Sequence, residues 1–416
     1  IGLTGFVAND LIDYNLQVKN DKDEVQYKIA GNVATANQLI DVTLKKDGLV
    51  LNYAPWNVTE DNKLTVYPKG IVANNLQLFN NNSSILINSE GSSPEYPLNV
   101  AFKDFKIETL TEIIRKDSLL AEGTINGEAH IKDLMNDLRL TADLNIKDLK
   151  VFGNAIGTVD ANVANETASL YKANVQLSGF DNNVSLIGSY DTAASSFDAN
   201  VAIKALQMTS IQGFSMNQLR DAKGYISGDL KVTGTTTSPS ILGALKFNNA
   251  GFGITQLNTT FQDMNDAIKF TTRGIEFQDF KIKDTEANAL SINGAVLTQT
   301  YRDFIFDLNL RARDFKIVNS TKSDNQILFG VMAINADLGI KGDLNLPKVD
   351  GQITVTDKTD FTFVMPQSSP ALQEREGIIE FVDQDQLALN ETLTDPQDVL
   401  EETIKGYDVN LNIEVE

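Results

Sequence analysis

Histidine occurs once in this 416-residue sequence, as His130 in "GEAHIKD", and cysteine does not occur at all. A two-histidine metal site is therefore impossible within the chain, as are thiolate nucleophiles, thiolate metal sites and disulfides, and a histidine-based triad could be built on His130 alone. His130 reads as a strand residue facing water. "GYISG" at 224–228 comes nearest to a nucleophile motif, but its spacing is not that of a strand-to-helix elbow. Acidic clusters occur at 21–24 (DKDE), 383–386 (DQDQ) and 395–398 (DPQD). None has the glycine at position six and glutamate at position twelve that a calcium loop needs. Paired carboxylates for glycoside hydrolysis remain open, because acidic residues are spread throughout. No catalytic residue, cofactor or metal ligand is assigned.

The residues left to act are apolar, and what they can do is solvate something greasy. They alternate with polar neighbours, as in strands with one wet face. The candidates are Leu230, Val232, Leu245, Phe247, Phe270, Phe280, Ile282, Leu290, Ile292, Leu308, Leu310, Leu338, Ile340, Ile353 and Val355. They line either a groove or a closed dry core; alternation alone does not separate the two.

Thirty-five basic residues against 56 acidic ones leave a formal charge of −21, which repels phosphate backbones and argues against a nucleic-acid partner. A hydrophobic fraction of 42% is enough to fold. No run of 18 apolar residues is present to span a bilayer as a helix. The sequence opens on Ile1 and ends in "DVNLNIEVE", which reads as an unfinished strand, so a piece of a longer protein is expected.

The positioning elements must be strands. Helical spacing is confined to 110–123, 215–224, 371–377 and 397–406. One hairpin pattern is written three times, at 75–91, 174–190 and 279–295, and "LNVAFKDFKIETL" (98–110) returns as "ANVAIKALQMTSI" (199–211) and "LNLRARDFKIVNS" (308–320). The punctuation Gly234–Pro239–Gly243 recurs as Gly342–Pro347–Gly351, which reads as the same turn used twice. The unit is roughly 100–110 residues, too long for a β-helix coil or a propeller blade. It divides the chain into a partial first repeat (1–97), a second (98–198), a third (199–307) and a truncated fourth (308–416). Immunoglobulin-like sandwiches compete on length, but Trp56 is the only tryptophan and no proline-rich linker separates the units. With no long amphipathic helix to cover an apolar sheet face, the sheet must curl on itself. At about 12 residues per strand and turn the chain gives roughly 35 strands, some 170 Å of sheet at ~4.8 Å per strand.

The ordered series "SGDLKVTGTTTSPSILGALKF" (227–247), "FQDMNDAIKFTTRGIEFQDFKIKDTEANALSINGAV" (261–296), "ADLGIKGDLNLPKVDGQITV" (336–355) and "MPQSSPALQEREGIIEFVDQD" (365–385) resembles the TamB family within the AsmA-like group. The resemblance implies an all-β, elongated, U-shaped half-pipe of antiparallel type, taco-like, with an apolar inner groove and a few short connecting helices. It further implies a periplasmic position, an inner-membrane anchor upstream of this piece, and an outer-membrane barrel partner of the TamA/BamA type. Phospholipid is the implied cargo, moved without catalysis. Three other readings stand beside it: a scaffold that pairs its sheet edge with nascent strands, an adhesin of separate sandwiches, and a β-helical glycan enzyme.

Overall fold

A computed structural model describes residues 2–8, 11–109, 120–135, 137–165, 167–364 and 408–415. These residues form one sheet of 27 strands. Most successive strands pair antiparallel, and at a few places the ladder skips a strand, as where Leu39–Leu51 also meets Lys63–Tyr67 and Pro239–Ile254 also meets Ala267–Thr271. Leu98–Lys106, for example, lies between Ser83–Ser89 and Ala121–Lys132. Ser196–Gln207 and Ile305–Ser320 run straight through the expected unit boundaries. One pairing among the described residues is parallel, that of Asp408–Val415 with Lys348–Val355. The strands are longer than expected, up to 17 residues in Leu219–Thr235, so the described residues make fewer of them than roughly 35.

What allows strands this long to bend is a recurring inserted residue. Phe102 pairs with Gly127 and Phe105 with Ile125, so Lys103 and Asp104 together face the single residue Asn126. The same two-against-one count falls at Asp279, between Phe277 and Phe280, and at Asp314, between Ala312 and Phe315. These are β-bulges, which bend a strand and sharpen its twist. Each needs a left-handed residue: φ is 44° at Asp104, 48° at Asp279 and 50° at Asp314. Asp and Asn tolerate that region better than other side chains that carry a Cβ. Each bulge leaves one backbone N–H without a ladder partner, and an asparagine on the next strand accepts it. Asp104 N–H donates to Asn126 Oδ1 at 2.9 Å, Asp279 N–H to Asn293 Oδ1 at 2.8 Å, and Asp314 N–H to Asn335 Oδ1 at 2.8 Å. Asn75 with Asn88 and Asn249 with Asn265 repeat the arrangement.

The extra residue also resets the alternation. Residues three apart, Phe102 and Phe105 or Phe277 and Phe280, come to share a face, and the second of each pair is buried. Three apolar clusters form beyond the bulges: around Trp56 and Phe105, around Met264 and Phe280, and around Phe315 and Ile334.

Helical spacing misleads at 215–224. That stretch is turn and then strand, and the helix lies earlier, at Met208–Gly213. Burial of Ala222 and Ile226 against neighbouring strands overrides the local i, i+3 pattern. Of the first expected helix, 110–119 lies outside the described residues and Ala121 already begins a strand; 371–377 and 397–406 lie outside altogether.

Replacing Asp279 with Asn should leave stability within about 0.5 kcal/mol. Val, which resists positive φ, should cost about 1–3 kcal/mol. Urea unfolding of the two variants checks this, and equal midpoints would mean that the bulge does not need its left-handed residue.

Candidate functional site

Side chains directly opposite across an antiparallel ladder share a face, so the register sorts the apolar candidates. One line runs Ile203, Gly228, Leu245, Ile268, Phe277, Gly294, Leu308, Ile340 and Val349 across successive strands. The next runs Val201, Leu230, Gly243, Phe270, Ile275, Val296 and Phe306. Every one of the fifteen candidates falls on this face. The opposite face carries Lys281, Ser291, Arg311 and Asp337 along a single line.

The fifteen are not equivalent. Phe280 is 4% exposed, held edge-on by Phe247 at 5.2 Å and Phe277 at 5.9 Å, and it belongs to a sealed seam. Leu245, Phe247, Ile282 and Ile292 pack against its cluster, while Leu290, Leu338 and Ile353, with Ile282 again, pack against the Phe315 cluster. Leu230, Val232, Phe270, Leu308, Leu310, Ile340 and Val355 are half-buried and belong to no buried cluster among the described residues. The face thus has a dry seam beyond the bulges and an open apolar zone before them.

Gly234 and Pro239 pair across the base of one hairpin turn, and Gly342 and Pro347 flank another. Gly243 and Gly351 have a different place. Both lie inside strands on the apolar face, opposite Leu230 and Leu338. At Gly243 φ is 138°, and a Cβ would collide with the carbonyl oxygen of Asp229. Glycine there lets adjacent backbones approach, and it leaves a notch beside a large side chain.

A second device closes one rim. Met208–Gly213 connects Ser196–Gln207 to Leu219–Thr235, yet it also reaches Asn154–Asn165, four strands from Leu219–Thr235 in the ladder. Met208 and Ile211 enter the apolar seam. The other side of the helix is tied by buried polar groups. Asn182, 4% exposed, donates to the Ile156 carbonyl and to Ser210 Oγ, both at 2.8 Å, and accepts the Gln207 N–H at 2.7 Å. Ser210 Oγ in turn donates to the Ala155 carbonyl at 3.2 Å. The helix is a strap that ties Asn154–Asn165 to Leu219–Thr235.

Charge sits on the wet face. Asp279 accepts from Lys281 and Ser291, which hold its carboxyl below the usual range, while Asp279 raises the Lys281 ammonium. Such exposed pairs add little stability. His130 lies in Ala121–Lys132 with Nδ1 2.6 Å from Asn99 Oδ1 and Glu128 nearby. The acidic clusters at 383–386 and 395–398 lie outside the described residues.

Sequence reasoning missed the bulges and the strap. The bulges had a signal: Asp-Phe recurs at 104–105, 279–280 and 314–315, and Ile-Asn at 125–126, 292–293 and 334–335. The strap had none, because Asn182 and Ser210 meet only through the curl. Asn182→Leu would strand the Gln207 N–H and the Ile156 carbonyl, costing about 2–4 kcal/mol. Hydrogen exchange at 154–157 and 207–213 should accelerate together while strands beyond 290 keep their protection. Unchanged exchange at 154–157 would mean that the helix does not hold that rim.

The family model for the TamB C-terminal domain matches residues 78–261 and 278–416. Neither a curated protein nor a solved structure matches the chain. The family's general province is outer-membrane assembly and lipid transport. With that match over most of its length, and with a single curled sheet of apolar inner face, the chain belongs to the TamB family.

Proposed function

We propose that the protein carries phospholipid acyl chains along the open apolar zone of its inner face, as a periplasmic bridge between inner and outer membranes, without catalysis. The observation that carries this reading is the line of half-buried apolar residues crossing strand after strand, with Leu230, Phe270, Leu308 and Ile340 in no sealed cluster. A phospholipid with about 30 acyl methylenes faces a cost of roughly 24 kcal/mol in water, at ~0.8 kcal/mol per methylene. An apolar zone that is continuous across strands removes most of that barrier by solvation, while a charged head group stays in water. On this reading the upstream anchor and an outer-membrane barrel partner of the TamA/BamA type stand at the two ends of the path.

A second reading, a scaffold for outer-membrane barrel proteins, has one observation in its favour. Among the described residues, Asp408–Val415 pairs only with Lys348–Val355, and its Val409 and Ile413 are 53% and 62% exposed. A strand bonded on one side offers backbone groups to an incoming strand.

A photo-crosslinking residue placed in cells at Leu308, and in a second variant at Asn309 on the wet face, separates the two readings. Phospholipid adducts at 308 and not at 309 are expected. Equal labelling, or protein adducts alone, would remove the conduit and leave the scaffold.

A further inference from the structure

The hydrogen-bonded ladder is not equally strong across the sheet. Seven pairs join Gly2–Ala8 to Leu11–Lys19, and ten join Leu170–Gly179 to Asn182–Asp191. Between the strands that precede Asn75 and those that follow it, only two pairs cross: Asn57 with Phe79 and Val58 with Leu78. The strands beside them, Gly70–Asn74 and Ser83–Ser89, form no ladder pair with each other. Leu76–Asn80 covers Ser83 to Ile87, so Asn88 and Ser89 alone are left to face Gly70–Asn74. They meet it with side chains. Ser89 Oγ accepts the Ala73 N–H and Asn88 Oδ1 the Asn75 N–H, both at 3.0 Å. Two further bonds cross nearby, from the Thr59 N–H to the Gln77 carbonyl at 3.1 Å and from Asn80 Nδ2 to the Pro55 carbonyl at 2.7 Å.

What else holds this step is apolar. Trp56 and Val58 on the near side pack with Leu78, Ile85 and Phe105 on the far side, and Val58 and Phe105 are each 1% exposed. The two kinds of contact resist different motions. Ladder bonds are directional, so a long row of them fixes the angle between neighbouring strands. Apolar burial has no direction, and a serine or asparagine side chain can follow its donor by turning about its own bonds. A step made of a buried cluster, two ladder pairs and a few side-chain bonds therefore resists separation far better than rotation.

We propose that the sheet is jointed at Asn75: the strands before it and those from Leu76 onward are two stiff bodies that rock against each other, with the Trp56–Phe105 contact as a dry bearing. Such a joint acts whether or not the inner face carries lipid.

The chain has no cysteine, so introduced pairs can carry spin labels on the otherwise unaltered protein. Lys28→Cys with Glu128→Cys crosses the joint, and Asn162→Cys with Lys269→Cys does not. All four positions lie within strands on the wet face. Each pair is separated by six steps across the sheet, roughly 29 Å at ~4.8 Å per step. Pulsed dipolar spectroscopy should give the crossing pair a distance distribution at least about twofold broader than the internal pair. Ser89→Ala, which removes one side-chain tie, should broaden the crossing distribution further. An unchanged internal distribution verifies that this variant folds. Equal widths for the two pairs in the protein with Ser89 intact, both narrow or both broad, would overturn the joint, and so would a crossing distribution that Ser89→Ala leaves unaltered. The first comparison changes nothing at the joint, so it decides the question even where Ser89→Ala does not fold.

Discussion

A long β-strand cannot both bend sharply and keep its apolar residues on one side, because each residue reverses the face of the one before. This protein meets the difficulty by inserting one residue where the bend falls, as Asp104, Asp279 and Asp314 do. The insertion turns the strand and restores the alternation together, so that Phe102 and Phe105 face the same way. Everything else in the molecule depends on that correction. The seam is built from the side chains that follow the insertions, and the open zone from those that precede them. The asparagine that receives the displaced N–H holds the bend without burying an unsatisfied donor.

The two zones divide the labour of one face. In the seam, Phe280 and Phe315 are nearly inaccessible and give the sheet the dry core that a single layer otherwise lacks. In the open zone, Leu230 and Leu308 retain exposed surface. The seam must supply much of the stability that lets the open zone stay uncovered. The strap formed by Met208–Gly213 belongs to this economy: its apolar side completes the seam, and its polar side, through Ser210, fastens a strand that the seam does not reach.

Much of this was legible in the residues. Alternation showed that strands dominate the chain, and the repeated "SILGALKF" and "VDGQITV" segments marked the apolar face that the register now displays. Alternation cannot show depth. Leu308 and Phe280 are both apolar alternators, yet one stays open and the other is sealed, because the bulge at Asp279 carries Phe280 into the seam. Glycine posed the same ambiguity: Gly234 sits at a turn while Gly243, of the same type and in the same motif, sits inside a strand, and only the neighbour opposite it distinguishes them. Helical spacing at 215–224 failed because cross-strand burial of Ala222 and Ile226 outweighs a local preference, and Asn182 with Ser210 is a contact made by curvature.

Since most of the described strands are bonded to their neighbours in sequence, the sheet has low contact order despite being all β, and its cooperativity resembles that of a linear array. Each new hairpin has its docking edge ready before the next is made, so the chain can fold progressively from its N-terminal side during synthesis. The same locality makes length an adjustable quantity. Whole bulge-bearing hairpins can be gained or lost in evolution without redesigning those that remain, so the span of such a sheet is set one hairpin at a time.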